Sequence, residues 1–214
     1  MSLELYFHPF ASYCQKVLIA LYENETPFEP RFVDLGDPVS RAAFLKVWSI
    51  GKFPVLVDGK RNRTIPESTI IIEYLAENYP GKVELVPGDA DLALETRLRD
   101  RFFDLYVSDP MQKIVGDRLR PAGKKDPHGV EAAHAQLRTI YEILDGQMKS
   151  KAWACGDAFT MADCAAAPAL FYANLVEPFG SYPNVAAYDQ RLKARPSFAR
   201  IIREAEPFFK SFPQ

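Results

Sequence analysis

Residues 51–69 read Gly51-Lys-Phe-Pro-Val-Leu-Val-Asp-Gly-Lys-Arg-Asn-Arg-Thr-Ile-Pro-Glu-Ser-Thr69, and their reading decides the fold. Phe53 to Val57 is a short apolar strand, and Asp58-Gly59 directly after it is a strong hairpin signal. The return strand is expected over Arg61 to Ile65. A helix then follows from Glu67 to Tyr79, with Ile71, Ile72 and Leu75 on one face. Pro54 has no N–H to give a ladder, so it belongs at a strand start or edge.

Upstream of this stretch the signals alternate. Leu3, Leu5 and Phe7 have the period of two of a strand, and Val17, Leu18, Leu21 and Tyr22 have helical spacing up to a turn at Asn24 to Pro27. Phe28 to Leu35 is a second strand candidate. Ser40 can cap a helix carrying Ala43, Phe44 and Val47. The order is β-α-β-α-β-β-α. A helix between the first two strands implies a parallel pair with a right-handed crossover, and the hairpin adds an antiparallel edge. This is the element order of a thioredoxin-like α/β domain.

Downstream, residues 80–90 contain two Pro-Gly pairs and end the alternation. The expected division is residues 1–80 as one domain, 81–90 as a linker and 91–214 as an all-helical domain. Leu94, Leu98, Phe102 and Leu105 mark a first helix, interrupted at Pro110. Ala133, Leu137, Ile140, Tyr141 and Leu144 mark a second. A third begins at Thr160, where Thr160 and Asp163 have capping-box spacing, a structural feature whose loss should cost stability. A fourth lies near Val185 to Leu192, and Pro196 separates it from a fifth.

Composition sets limits on function. Of 214 residues, 48% are hydrophobic and 25% charged, the balance of a globular protein, and the net charge of -2 draws neither nucleic acid nor an anionic membrane. The basic run Lys113 to Lys125 is broken by Asp117 and Pro121 and reads as a solvated helix end and loop. The N-terminus has no secretory pattern, and the uncharged stretch Cys164 to Val176 is shorter than the ~20 residues that span a bilayer. Cys14, Cys155 and Cys164 are odd in number and lack metal or disulfide spacing, which fits a reducing cytoplasm. His8, His128 and His134 make no ligand cluster, so no metal is expected.

Three places could carry chemistry. At Phe53-Pro54 a cis bond would expose the backbone N–H and C=O of Phe53 to a peptide; an ordinary trans proline is the alternative, and the element order favours cis. At Pro66-Glu-Ser-Thr69 a helix start offers an anion site at Ser68 beside the Glu67 carboxylate, or simply a cap. In the turn Phe10-Ala-Ser-Tyr-Cys14, Ser12 can donate to a thiolate or cap the helix, and Cys14 can be reactive or packed.

Four pieces together resemble the cytosolic glutathione transferase family, in its bacterial theta-like or zeta-like branches. They are Ser12-Tyr-Cys-Gln-Lys-Val-Leu-Ile-Ala-Leu21, Gly51-Lys-Phe-Pro-Val-Leu56, Pro66-Glu-Ser68 and Gly156-Asp-Ala-Phe-Thr-Met-Ala-Asp163, in family order over almost the full length. The resemblance implies that glutathione is the co-substrate, with no metal. Phe53, with Pro54 in cis, would bind its cysteinyl part, Glu67 and Ser68 its γ-glutamyl end, and Lys52 would lie near its glycyl carboxylate. It also implies an apolar electrophile held against Phe10, Phe102, Phe103, Tyr106 and Met111, a role in detoxification, and a homodimer.

One position departs from the pattern. The thiol-activating serine of theta-like and zeta-like relatives falls on Ala11, and Ser12 stands one residue further on. Ser12 is the expected activator, with Tyr6 and Cys14 as alternatives. Two other functions stay open: a glutathione-dependent isomerase of the zeta type, and a non-catalytic glutathione-binding or interaction module.

Overall fold

The computed structural model describes residues 3–213. β1 (Leu3–Phe7) leads into α1 (Ser12–Glu23), β2 (Glu29–Phe32), α2 (Pro38–Val47), β3 (Val55–Asp58), β4 (Arg63–Pro66) and α3 (Ser68–Asn78). The sheet order is β2-β1-β3-β4, with β1 parallel to β2 and the other pairs antiparallel. This is the expected thioredoxin-like arrangement. The alternation in β1 sends Leu3, Leu5 and Phe7 into the main core, shared with α1 and α3. Phe44 of α2 covers the opposite face with Val33 and Val55.

Local differences from the sequence expectation have physical causes. β2 is shorter than Phe28 to Leu35 and exposed along its length, as befits an edge strand carrying Pro30. Asp37, not Ser40, caps α2, because its carboxylate accepts the Ser40 N–H at 2.8 Å with Pro38 in the first turn. The return strand begins at Arg63 instead of Arg61, since the Asp58 carboxylate accepts the N–H groups of Lys60 and Arg61 and extends the loop. Tyr74 and Tyr79 also donate their hydroxyls to buried Asp58, tying α3 to the hairpin. Burial pushes the Asp58 carboxyl up, but these donors outweigh it and hold it below its ordinary value.

Residues 79–89 hold neither helix nor strand, although Leu85 is buried and its carbonyl accepts the N–H of Met161. The helical domain follows: α4 (Ala90–Phe102), α5 (Asp109–Arg118), α6 (Pro127–Met148), α7 (Met161–Val176), α8 (Pro183–Ala194) and α9 (Pro196–Ala205). Between α4 and α5 the chain widens into a π-helical turn over Phe103–Ser108. Pro110 cannot donate to the carbonyl four residues back, so the change of winding sits just before it. α7 is the buried centre, entered through the capping box of Thr160 and Asp163.

α1 packs against α7, α9 and α3 and shares its core with Leu5 and Leu56 of the sheet, and Cys14 to Leu21 are buried without interruption. That run includes Gln15 and Lys16. The apolar stripe of α4 behaves in the opposite way. Leu94 and Leu98 are 66% and 57% exposed, whereas Ala93, Thr96 and Asp100 face inward.

Candidate active site

The Phe53–Pro54 peptide is cis and opens β3. Across from it, Glu67 caps α3 with a φ of 70°, a left-handed conformation that is rare outside glycine. That bend turns the start of α3, with nearly buried Ser68, toward the cis bond. A polar cavity of ≈ 320 Å³ lies between them, bordered by Lys52, Phe53, Pro54, Glu67 and Ser68. All five residues expected at a glutathione site thus share one wall. Arg101, Asp104 and Gln112 form the opposite wall, from the helical domain.

An apolar cavity of ≈ 410 Å³ adjoins it and is lined by Phe10, Ala11 and Ser12 on one side and Met111, Val115 and Phe212 on others. Tyr13, Phe53 and Gln112 border both cavities. Tyr172 of α7 closes the apolar cavity, its ring perpendicular to Phe10 and stacked on Phe212. The Tyr172 hydroxyl donates to the Phe10 carbonyl at 2.9 Å and accepts from Gln15 Nε2 at 3.0 Å. Gln15 Nε2 also donates to the Pro9 carbonyl at 2.8 Å, so the β1–α1 turn is pinned to α7.

The electrophile wall expected from sequence needs correction. Phe10 and Met111 line the apolar cavity, but Phe102, Phe103 and Tyr106 border neither cavity. Phe103 is buried against Tyr188 in the core, and Tyr106 is about half exposed beside Phe102. The π turn shifts the helical phase, so the helical side of the apolar cavity is formed by Met111, Val115 and Leu119 at steps of four.

The thiol-activating candidates separate by position. Ala11 is the N-cap of α1 and offers no side-chain cap; Ser12 is the first helical residue, not the cap, and borders the apolar cavity alone. Tyr6 lies on the other face of the sheet, near Phe44, and donates its hydroxyl to Glu4 Oε2 at 3.2 Å. Cys14 is fully buried, and burial pushes its thiol well above the ordinary cysteine value. Among the described residues, no group of three or more His, Cys, Asp or Glu is placed to hold a metal ion.

Family models match both halves: the glutathione S-transferase N-terminal domain over residues 5–83 and the C-terminal domain over residues 127–191. The chain belongs to the glutathione S-transferase family. Glutathione S-transferase GstB of Escherichia coli is 26% identical over 191 residues, covering 88% of this chain and 91% of that protein. A glutathione S-transferase from Methylobacillus flagellatus, solved with GSH bound, superposes with a TM-score of 0.84 at 25% identity, over 94% of this chain and 98% of that one. One from Rhodospirillum rubrum gives 0.80 at 26% identity, over 94% and 91%.

Within this transferase fold, several site residues escaped the sequence reading. The Lys16 ammonium, 1% exposed, lies 2.6 Å from Asp100 and 2.8 Å from Asp104 and donates to Thr69 Oγ1 at 2.9 Å. Thr69 in turn donates to Asp100 Oδ2 at 2.7 Å, and the Arg101 guanidinium binds Asp100 and Asp104 from the cavity side. A buried Lys paired with aspartates looks, in one sequence, like ordinary surface charge; the one available signal was that Lys16 interrupts an apolar helix. Tyr13 carried no signal apart from its place in the β1–α1 turn.

Proposed function

We propose that this chain is a glutathione transferase that joins the sulfur of glutathione to an apolar electrophile. One observation carries the reading: a polar cavity bordered by Lys52, Glu67 and the start of α3 adjoins an apolar cavity, and the two share Phe53, Tyr13 and Gln112. The start of α3 suits the γ-glutamyl group, since the Ser68 N–H and hydroxyl meet its carboxylate and Glu67 meets its ammonium. Phe53 would hold the cysteinyl backbone through its own N–H and C=O, and Lys52 the glycyl carboxylate. The sulfur then stands at the start of α1, where the helix N–H groups favour the thiolate. The thiolate attacks the electrophile in the apolar cavity, and the leaving group departs with its electron pair.

The same reading assigns residues 1–80 to glutathione and 91–214 to the electrophile, with 81–90 joining them. It gives the protein a detoxifying role in a reducing cytoplasm, consistent with three free cysteines. It also includes a homodimer, for which exposed Ile70, Leu94 and Leu98 supply an apolar surface. Ala11 at the usual serine position favours one second reading, a glutathione-binding module without turnover.

The test is retention on immobilised glutathione together with conjugation of chlorodinitrobenzene. Retention with turnover is the expected result. Retention alone selects the binding module, and failure to retain removes the glutathione reading altogether.

A further inference from the structure

Tyr13 is the hydroxyl-bearing side chain that borders both cavities. It shares that place with Phe53, whose backbone faces the proposed cysteinyl position, and with Gln112 on the helical wall. A sulfur passing from the peptide cavity to an electrophile must cross this junction. Ser12 opens only on the apolar side, Tyr6 on the far face of the sheet, and Cys14 into the core.

The hydroxyl proton is also only weakly held. Its acceptor is the Asp104 carbonyl at 3.5 Å, far beyond the ~2.7–2.8 Å of a strong O–H···O bond, and the Gln112 side chain is its other hydrogen-bond partner. Re-aiming that proton at a sulfur anion forfeits little and gains a charge-assisted bond. Burial, and then the neighbouring Asp104 and Asp109 charges, push the Tyr13 phenol well above its ordinary value, so it keeps its proton and acts as a donor, not a base.

Resting on the transferase reading above, we propose that the Tyr13 hydroxyl is the catalytic donor that stabilises the glutathione thiolate. The glutathione S–H proton passes to solvent water, and the Tyr13 O–H swings from the Asp104 carbonyl to the sulfur. The thiolate forms the C–S bond, and with chlorodinitrobenzene the C–Cl bond breaks and chloride leaves with its electron pair. Tyr13 stays protonated throughout and is ready for the next turnover.

The experiment compares the full-length protein with Tyr13→Phe and Ser12→Ala, by conjugation kinetics against pH and by ultraviolet difference absorbance of bound thiolate. Tyr13→Phe should still be retained on glutathione resin, with the KM for glutathione within about twofold of the parent. Its kcat near neutral pH should fall on the order of a hundredfold, the loss typical of one preorganised donor. The rise of rate with pH should move up by about two units, because each tenfold loss of thiolate corresponds to one unit. Ser12→Ala should leave the thiolate absorbance near that of the parent. Unchanged absorbance and pH profile in Tyr13→Phe, or their loss in Ser12→Ala instead, overturns the assignment while the transferase reading stands. A parent protein that neither retains glutathione nor conjugates overturns both.

Discussion

Lys16 Nζ lies 2.8 Å from Asp104 Oδ2, inside the protein, and Asp104 is at the same time part of the polar cavity wall. The pair joins α1 to the π turn after α4, with Asp100 and Thr69 completing the contact. Burial pushes the Asp104 carboxyl up, and the Lys16 charge opposes that shift. Such buried pairs add little net stability over apolar packing, but removing one partner strands the other. Lys16→Met should therefore lower stability by about 3–5 kcal/mol in urea unfolding. Glutathione affinity should weaken with it, because Asp104 and Arg101 lose their fixed positions. A loss below about 1 kcal/mol, the value typical of a surface pair, would show that the charges are solvated.

Glu67 makes a different prediction, since its carboxylate and its backbone can be tested apart. A φ of 70° strains a residue with a side chain by roughly 1 kcal/mol, and strain of this kind collects at binding sites. Glu67→Gly should raise stability by about that amount. It should also abolish retention on glutathione through loss of the carboxylate. Glu67→Gln should weaken glutathione binding with no change in unfolding midpoint. If Glu67→Gly instead destabilises the protein while retention is unaffected, the residue serves the fold and not the ligand.

The sheet and the cis-proline site were legible because their signals are local: period two in β1, Asp58-Gly59 at the hairpin, and Pro66-Glu-Ser at a helix start. The capping box at Thr160 and Asp163 was legible for the same reason. The helical wall of the site was not. Periodicity places Leu94, Leu98 and Phe102 on one stripe but cannot say which partner that stripe meets, and the protein buries Ala93, Thr96 and Asp100 instead. Phe103 and Tyr106 were misplaced because a π turn changes the residues per turn without leaving a mark in the sequence. Lys16 was invisible as a core residue, since only the fold brings two aspartates to it.

The outward stripe of α4 leads to a prediction about assembly. Leu94 and Leu98 stand exposed on α4, and Ile70 of α3, 52% exposed, borders the cleft that holds the bidentate Arg97–Glu73 ion pair. An apolar surface with a polar rim is the usual composition of an interface between copies. Leu98→Glu should shift the protein from dimer to monomer in sedimentation experiments at micromolar concentration, with unchanged circular dichroism. A parent protein that sediments as a monomer would rule out the homodimer, and the stripe would then need another partner.

His8 links the site to pH. Its ring is surrounded by Phe32, Phe53 and Phe208, and its Nδ1 accepts the N–H of Phe10 at 3.1 Å. Accepting that bond requires an unprotonated Nδ1. Burial lowers the pKa of His8 below its ordinary value, and the opposing attraction of Asp34 is the smaller effect. The unfolded chain therefore takes up the proton first as pH falls, and the folded state loses stability through the window just below the ordinary histidine value. Above that window both states are neutral and the contribution is constant. His8→Asn keeps an acceptor for the Phe10 N–H but cannot titrate, so its stability should fall less than the parent's between pH 7 and about 5. The Phe208 turn rests on the same ring, so conjugation by the parent should decline over that range more steeply than in the variant. Parallel urea midpoints for the two proteins across the range would mean that His8 is not the titrating group.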